Sequence, residues 1–182
     1  MQEIQEKDGT VGEMKLPSLY EFIENVSEIP TWSEIQEEII NTSWQEHLWP
    51  LSENKIDRGR YVFVPTKKTH RLFLEWIESQ SQYSWPILTK VDAGSKIPAH
   101  AHPPESFDYL YNMSIIEPEN CPFEIGGEEI SYKSGDVYKL HIKNSHSVIN
   151  NSDNDRVHVV IIPTIFARRN QNIWYRLMGV GV

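Results

Sequence analysis

The chain has 182 residues, 26 of them acidic and 17 basic, giving a formal charge of −9. That length suits one domain with a sizeable core. The acidic balance disfavours nucleic acid or an anionic membrane surface as partner, since both demand clustered Lys and Arg. Hydrophobic residues at 39% and charged residues at 24% exclude wholesale disorder and fibrous repeats, and no apolar run nears the roughly 20 residues of a membrane span. Cys121 is the single cysteine, so neither an internal disulfide nor a thiolate cage can form. The opening MQEIQEKDGTVGEM lacks a basic-then-apolar signal pattern, and a cytoplasmic location is the expectation.

Residues 1–15 read as a polar, mobile lead-in, with one domain over 16–182. From Leu16 to about Trp49 the pattern is helical. Leu19, Phe22, Ile23 and Val26 recur at three- and four-residue steps, predicting an amphipathic helix. After Pro30 a second helix is expected, with Ser33 as N-cap and Ile35, Ile39 and Ile40 on one face. Tyr61 to Val64 reads as a strand stopped by Pro65, and Lys67 to Ser79 as a helix.

Beyond Trp85 the texture turns to short β-type runs: Pro86–Val91, Phe107–Ile116, Pro122–Ile125, Glu128–Tyr132, Asp136–Leu140, Ser147–Ile149 and Arg156–Ile162. Gly126-Gly127 is a two-residue hairpin signal, because both glycines accept positive φ. Many short strands with little helix between them predict a mainly β fold, an antiparallel barrel or jelly roll with the N-terminal helices packed outside.

Three histidines sit where such a barrel gathers them. His100 and His102 occur in IPAHAH, and residues two apart on extended backbone point to one side. His146 opens a later strand in NSHSVIN. Three neutral imidazoles, or two with a carboxylate such as Glu105, can hold one face of an octahedral ion and leave positions open for reacting ligands. Imidazole suits iron, zinc, copper or nickel alike. Arg156 follows His146 by ten positions and opens RVHVVIIP, sharing a face with His158 and Val160. A guanidinium on so apolar a strand is costly unless an anion meets it; a bound carboxylate held by paired hydrogen bonds would do so.

Gly94-x5-His100-x-His102-x2-Glu105 and Gly135-x10-His146-x3-Asn150 resemble the two cupin signatures, with the second motif's usual proline and glycine replaced by His141 and Lys143 and the first motif one residue short between His102 and Glu105. A closer likeness covers Ile97 to Thr164, where IPAH, GGEEISYKSGD and H-x-V-x-N-x5-R from His146 to Arg156 resemble the aspartyl/asparaginyl β-hydroxylase family of iron(II)- and 2-oxoglutarate-dependent dioxygenases. That resemblance implies a cupin-like double-stranded β-helix and makes His100 and His146 the iron ligands. It makes Arg156 the residue that binds the distal carboxylate of 2-oxoglutarate. His102 stands where related oxygenases place a carboxylate ligand, as a third metal ligand or as a group behind the ligands. The family's basic residues on the strand after the first histidine are replaced by Tyr109 and Tyr111, whose phenols can still donate to a carboxylate. The implied reaction is hydroxylation of an Asp- or Asn-like, other small-molecule or peptide C–H bond. A homodimer through sheet edges is the assembly that cupins often form.

Two other readings stand beside this one: a metal-binding cupin acting as a dioxygenase or isomerase without 2-oxoglutarate, and a non-catalytic cupin-like binding module. Blander roles also attach to single residues. Arg156 can make an internal ion pair with a carboxylate such as Asp108, and Asn150 can cap a turn. His158 lines the pocket or sits satisfied in the core. His47 and His70 are expected on the surface, His141 at a rim, and Glu34, Glu37 and Glu38 on a wet helix face; Cys121 is expected to be inert. The aromatics Trp76, Trp85, Trp174, Tyr109 and Tyr111 are mostly core, with one or two at the pocket mouth. GxSxG, HExxH, P-loop and GxGxxG motifs are absent, so hydrolase, zincin and nucleotide-fold readings lack their anchors.

Overall fold

A computed structural model describes residues 18–46, 49–52 and 55–167. The expected lead-in over 1–15, His47 and Trp174 lie outside the described residues. In chain order the first elements are β1 (Tyr20–Asn25), α1 (Trp32–Ile40), β2 (Gln45–Glu46), β3 (Trp49–Ser52), β4 (Lys55–Asp57), β5 (Arg60–Phe63) and α2 (Arg71–Ser79). Then come β6 (Tyr83–Val91), β7 (Lys96–His100), β8 (Leu110–Ile116), β9 (Phe123–Ile125) and β10 (Glu128–Ile130). The last are β11 (Asp136–Leu140), β12 (His146–Ile149), β13 (Arg156–Pro163) and α3 (Thr164–Ala167).

A seven-stranded sheet runs β1-β11-β8-β13-β6-β5-β2, and a four-stranded sheet runs β10-β9-β12-β7. All pairings are antiparallel. The long strand β13 shows why the layers form. Its eight residues are all buried, and successive side chains enter two different cores. Val157, Val159 and Ile161 join Ile35, Ile39, Phe73 and Ile77 of α1 and α2 on the outer face of the large sheet. Val160 and Ile162 join Phe123, Ile125 and Val148 of the small sheet, filling the space between the sheets. The result is the expected mainly β cupin-type sandwich, with helices covering its outside.

Local chemistry accounts for most element ends. Gly126 (φ +59°) and Gly127 (φ +85°) make the tight β9–β10 hairpin. In α1, Trp32, Ile35 and Ile39 form the buried stripe. Glu38 is not merely on a wet face: its two carboxylate oxygens accept the backbone N–H groups of Leu72 and Phe73, each at 3.1 Å, and so cap the start of α2. The N-cap position of α1 is Thr31, and Ser33 lies inside the helix, its hydroxyl bonded to Glu34.

Three expectations change. The segment expected as a helix around Leu19 to Val26 is the edge strand β1, paired with β11. A register shift between Phe22 and Glu24 breaks its two-residue alternation, so the apolar spacing imitates a helical one. Lys96–His100 is a strand, hidden in the sequence by Pro98. His70 is buried at the start of α2, its Nε2 2.8 Å from the Thr42 hydroxyl.

Gly135 and Gly127 share a φ of +85° but differ in surroundings. A Cβ on Gly135 would stand 2.6 Å from the Ser27 backbone nitrogen, whereas one on Gly127 meets nothing within 4 Å. Gly127→Ala should therefore cost about 1 kcal/mol, the backbone penalty alone. Gly135→Ala should cost clearly more, about 2–3 kcal/mol, with strain added. Urea unfolding of both variants checks the difference.

Candidate metal centre

The centre is built on one pairing. His146, first residue of β12, lies directly opposite His100, last residue of β7, with ring centroids 4.3 Å apart. His102, two residues past the strand, completes the group at 5.6 Å from His100 and 5.3 Å from His146. The backbone N–H of His102 donates to the Ile142 carbonyl at 3.0 Å, which holds this irregular stretch against the barrel. One nitrogen from each ring lies within 4.8 Å of the others, so a single ion can be reached by all three.

Hydrogen bonds fix the tautomers of two rings. Nδ1 of His100 is 2.8 Å from the Pro98 carbonyl, and Nδ1 of His146 is 2.9 Å from the Asn144 carbonyl. A carbonyl only accepts, so each Nδ1 carries the proton and each Nε2 keeps its lone pair for a metal. Burial pushes His146 down to about 4, and burial with the neighbouring imidazoles does the same to His102. At neutral pH these are uncharged donors, as metal ligation requires. The donor set is all nitrogen: Glu105 is exposed and stands outside the group.

The cavity enclosing these rings measures about 130 Å³ and lies between the two sheets. Ile97, Leu110, Phe123, Leu140, Ile142 and Val148 supply its apolar walls, and Arg60, Asn112 and Arg156 its deep polar groups. Tyr109 and Tyr111 do not line it. Alternation along β8 turns Leu110 and Asn112 inward and places Tyr111 in the opposite core, its ring 5.0 Å from Tyr83. Tyr109 packs against Phe166 at 5.3 Å and lies under the Lys139 ammonium.

Arg156 is 3% exposed and lines the cavity, and its counter-charge is Glu117 rather than Asp108, which pairs with Lys143. Its Nε is 3.5 Å from Glu117 Oε2, and its Nη2 is 2.9 Å from His158 Nδ1. The opposite ring nitrogen, Nε2, is hydrogen-bonded to the Glu117 carboxylate, which only accepts, so Nε2 carries a proton. Burial, reinforced by Arg156, pushes His158 down to about 4. Burial alone would raise Glu117, but His158 and Arg156 outweigh it and hold the carboxyl below its usual range. His158 is fully buried and bridges the two charges, with the Asn112 Oδ1 2.7 Å from its Nδ1. The contact of the buried Arg156 Nε with Glu117 is an ion pair without a hydrogen bond.

Asn150 does more than cap a turn. Fully buried, its amide donates to the carbonyls of Val91, Asp92 and Asn154, and its oxygen accepts from Ser152. It ties the end of β6 to the loop leading into β13. Cys121 is buried, and burial pushes its thiol up to about 11, which leaves it unreactive. Sequence reasoning passed over Glu117, Asn112 and Arg60. Arg60 carried a legible signal, since it opens RYVF as Arg156 opens RVHVV, a cation at the head of an apolar strand.

Among the described residues no helix is long and apolar enough to cross a membrane. A search of curated proteins gives no match. Among solved structures, the chain is similar to a prolyl hydroxylase from Trichoplax adhaerens in complex with a hypoxia inducible factor peptide fragment (TM-score 0.59, 11% identity, 84% of this chain and 88% of that one). It is similar to SnoK, a non-heme alpha-ketoglutarate-dependent carbocyclase from nogalamycin biosynthesis (TM-score 0.54, 12% identity, 80% and 79%). It is also similar to an oxidoreductase of the 2OG-Fe(II) oxygenase family from Burkholderia pseudomallei (TM-score 0.52, 11% identity, 72% and 77%). These likenesses show a shared fold, that of the 2-oxoglutarate/iron(II) oxygenases. The family model described as Aspartyl/Asparaginyl beta-hydroxylase matches residues 18–162, which carry the sandwich and every residue of the centre, so the chain belongs to the aspartyl/asparaginyl β-hydroxylase family.

Proposed function

We propose that the protein is an iron(II)- and 2-oxoglutarate-dependent hydroxylase acting on a small molecule or a peptide side chain of Asp or Asn type. The observation that carries this reading is the placement of Arg156. A buried guanidinium lines the same cavity as three convergent imidazoles. His100, His102 and His146 would hold the iron, and Arg156 the far carboxylate of the cosubstrate. When bound, iron(II) with 2-oxoglutarate and O2 supplies C–H hydroxylation, the keto acid leaving as succinate and carbon dioxide. The chain's own residues bind, orient and exclude water. Imidazole ligands, unlike carboxylates, add no negative charge and leave the ion's charge uncancelled, which favours a dianionic ligand beside it in a poorly solvated site. The Pro98 and Asn144 carbonyls hold two rings in their ligating tautomer, and the apolar walls limit water access.

A second reading, a metal-dependent cupin without 2-oxoglutarate, is favoured by one observation: Glu117 already balances the charge of Arg156. Anaerobic titration separates the two. Iron(II) and 2-oxoglutarate together should give the weak visible charge-transfer band of the chelate. Iron binding without that band would leave the plain cupin. Arg156→Ala should weaken 2-oxoglutarate binding by about tenfold or more, as loss of a charge-assisted hydrogen bond does, while metal content stays unchanged. Loss of metal in that variant would make Arg156 a structural ion-pair member.

The three rings are expected to differ in weight. His100→Ala and His146→Ala should abolish stoichiometric iron. His102→Ala should lower iron affinity by about 10- to 100-fold if the ring ligates directly; unchanged affinity would place it behind the ligands. Elemental analysis after dialysis reads all three.

A pH dependence follows from the lowered histidines. In the unfolded chain imidazoles take up protons below about 6.5, whereas folded His102, His146 and His158 resist until about 4. Below pH 6.5 the unfolded state therefore binds more protons, and stability of the metal-free protein should fall from there toward pH 4. Metal affinity should fall toward pH 4, because protons compete for His102 and His146 where these folded imidazoles titrate. Denaturant midpoints and metal retention measured between pH 8 and pH 4 check both statements.

A further inference from the structure

Arg60, at the head of β5, is buried with 5% exposure and lines the same cavity as the three imidazoles. Its place in the sheet is specific. β5 and β13 flank β6, and both Arg60 and Arg156 lie in register with Val91. Residues paired across a sheet point to the same face, so the two arginines rise from one transverse row of the cavity floor. Two strand spacings separate them, about 10 Å between Cα atoms, and a carboxylate between them lies within reach of both side chains.

This row lies at the opposite end of the cavity from the metal ligands. The Asn150 amide bonds the carbonyls of Val91 and Asp92, and its backbone N–H bonds the carbonyl of Ser95. The Arg60–Val91–Arg156 row therefore meets the Lys96 end of β7 and the Ile149 end of β12, while His100 and His146 occupy the far ends of those strands. About 13 Å of strand lies between, walled by apolar side chains. A ligand filling this space has a metal-binding head, an apolar chain and an anionic tail.

The tail needs more than Arg156. Glu117 stands 3.5 Å from that guanidinium, so a carboxylate arriving there also meets a like charge. We propose that Arg60 is a second guanidinium for the distal carboxylate, and that the Arg60–Arg156 row makes the cavity selective for small dicarboxylic acids over monocarboxylic ones. The inference rests on the oxygenase reading for the identity of the head group, and on the sheet register alone for the tail.

The test compares 2-oxoglutarate with 2-oxobutyrate, which has the same keto-acid head and no distal carboxylate. Each is titrated anaerobically into the iron(II) protein and read by the chelate band. The wild type should prefer 2-oxoglutarate. Arg60→Gln should raise its Kd by about tenfold or more, shift 2-oxobutyrate less than about twofold, and keep its metal content. Arg60→Lys should recover only part of the loss, keeping charge without the planar fork. An Arg60→Gln protein binding 2-oxoglutarate like the wild type overturns the proposal. If Arg60→Gln does not fold, Arg60→Lys decides: unchanged preference for the diacid overturns it. If the wild type gives no band with either acid, the oxygenase reading fails, and thermal unfolding of the metal-free protein with glutarate decides for Arg60. Protection of the wild type but not of Arg60→Gln supports the tail site; equal or absent protection overturns it.

Discussion

The centre depends on the register of β7 against β12. His100 and His146 are partners in a two-strand ladder, and each donates Nδ1–H to the carbonyl two residues before it. Because side chains alternate across a strand, a slip of one residue would turn either ring out of the barrel. The register shift between His146 and Val148 sits beside the site, in keeping with bulges that aim a side chain without disturbing the rest of a sheet. At the other end of the same strands Asn150 fixes their position relative to β6. The distance between the His100–His146 pair and the arginine row is thus set by regular backbone rather than by loops.

Buried charge at the head of β13 is handled by pairing. Arg156, His158 and Glu117 form a chain in which the imidazole, hydrogen-bonded through Nε2 to the carboxylate, lies between one positive and one negative charge. Removing either charged end would strand the other in the core, which is more costly than removing both. In the imidazole cluster His102 and His146 are uncharged at neutral pH. An ion entering it would be the dominant local charge and would govern which anions follow.

Much of this was legible in the sequence, for reasons that differ by element. Asp136–Leu140 and Arg156–Pro163 were readable because β-branched and aromatic runs ended in turn residues. The three histidines and Arg156 were readable because motif spacing preserves strand register. Edge strand β1 was not: the bulge at Phe22 to Glu24 destroyed its alternation, and pairing with β11 decided the outcome. Tyr111 falls on the strand where the family carries basic residues, yet strand parity sends it to the helix-covered face. Glu117 could not be found at all, because nothing local marks a residue just past β8 as the partner of one at the head of β13. The buried His70 was missed for a similar reason: its partner Thr42 is remote in sequence.

The third imidazole differs from the other two in how it is mounted. His102 belongs to the irregular stretch between β7 and β8, anchored by one backbone bond to Ile142, whereas its companions are gripped by ladder pairing. An ion spanning all three rings would stitch that connecting segment to the small sheet and shorten its free length. Loading the centre would then act as a clasp, and the amides between Ala101 and Tyr109 would exchange their hydrogens more slowly in the loaded protein than in the empty one.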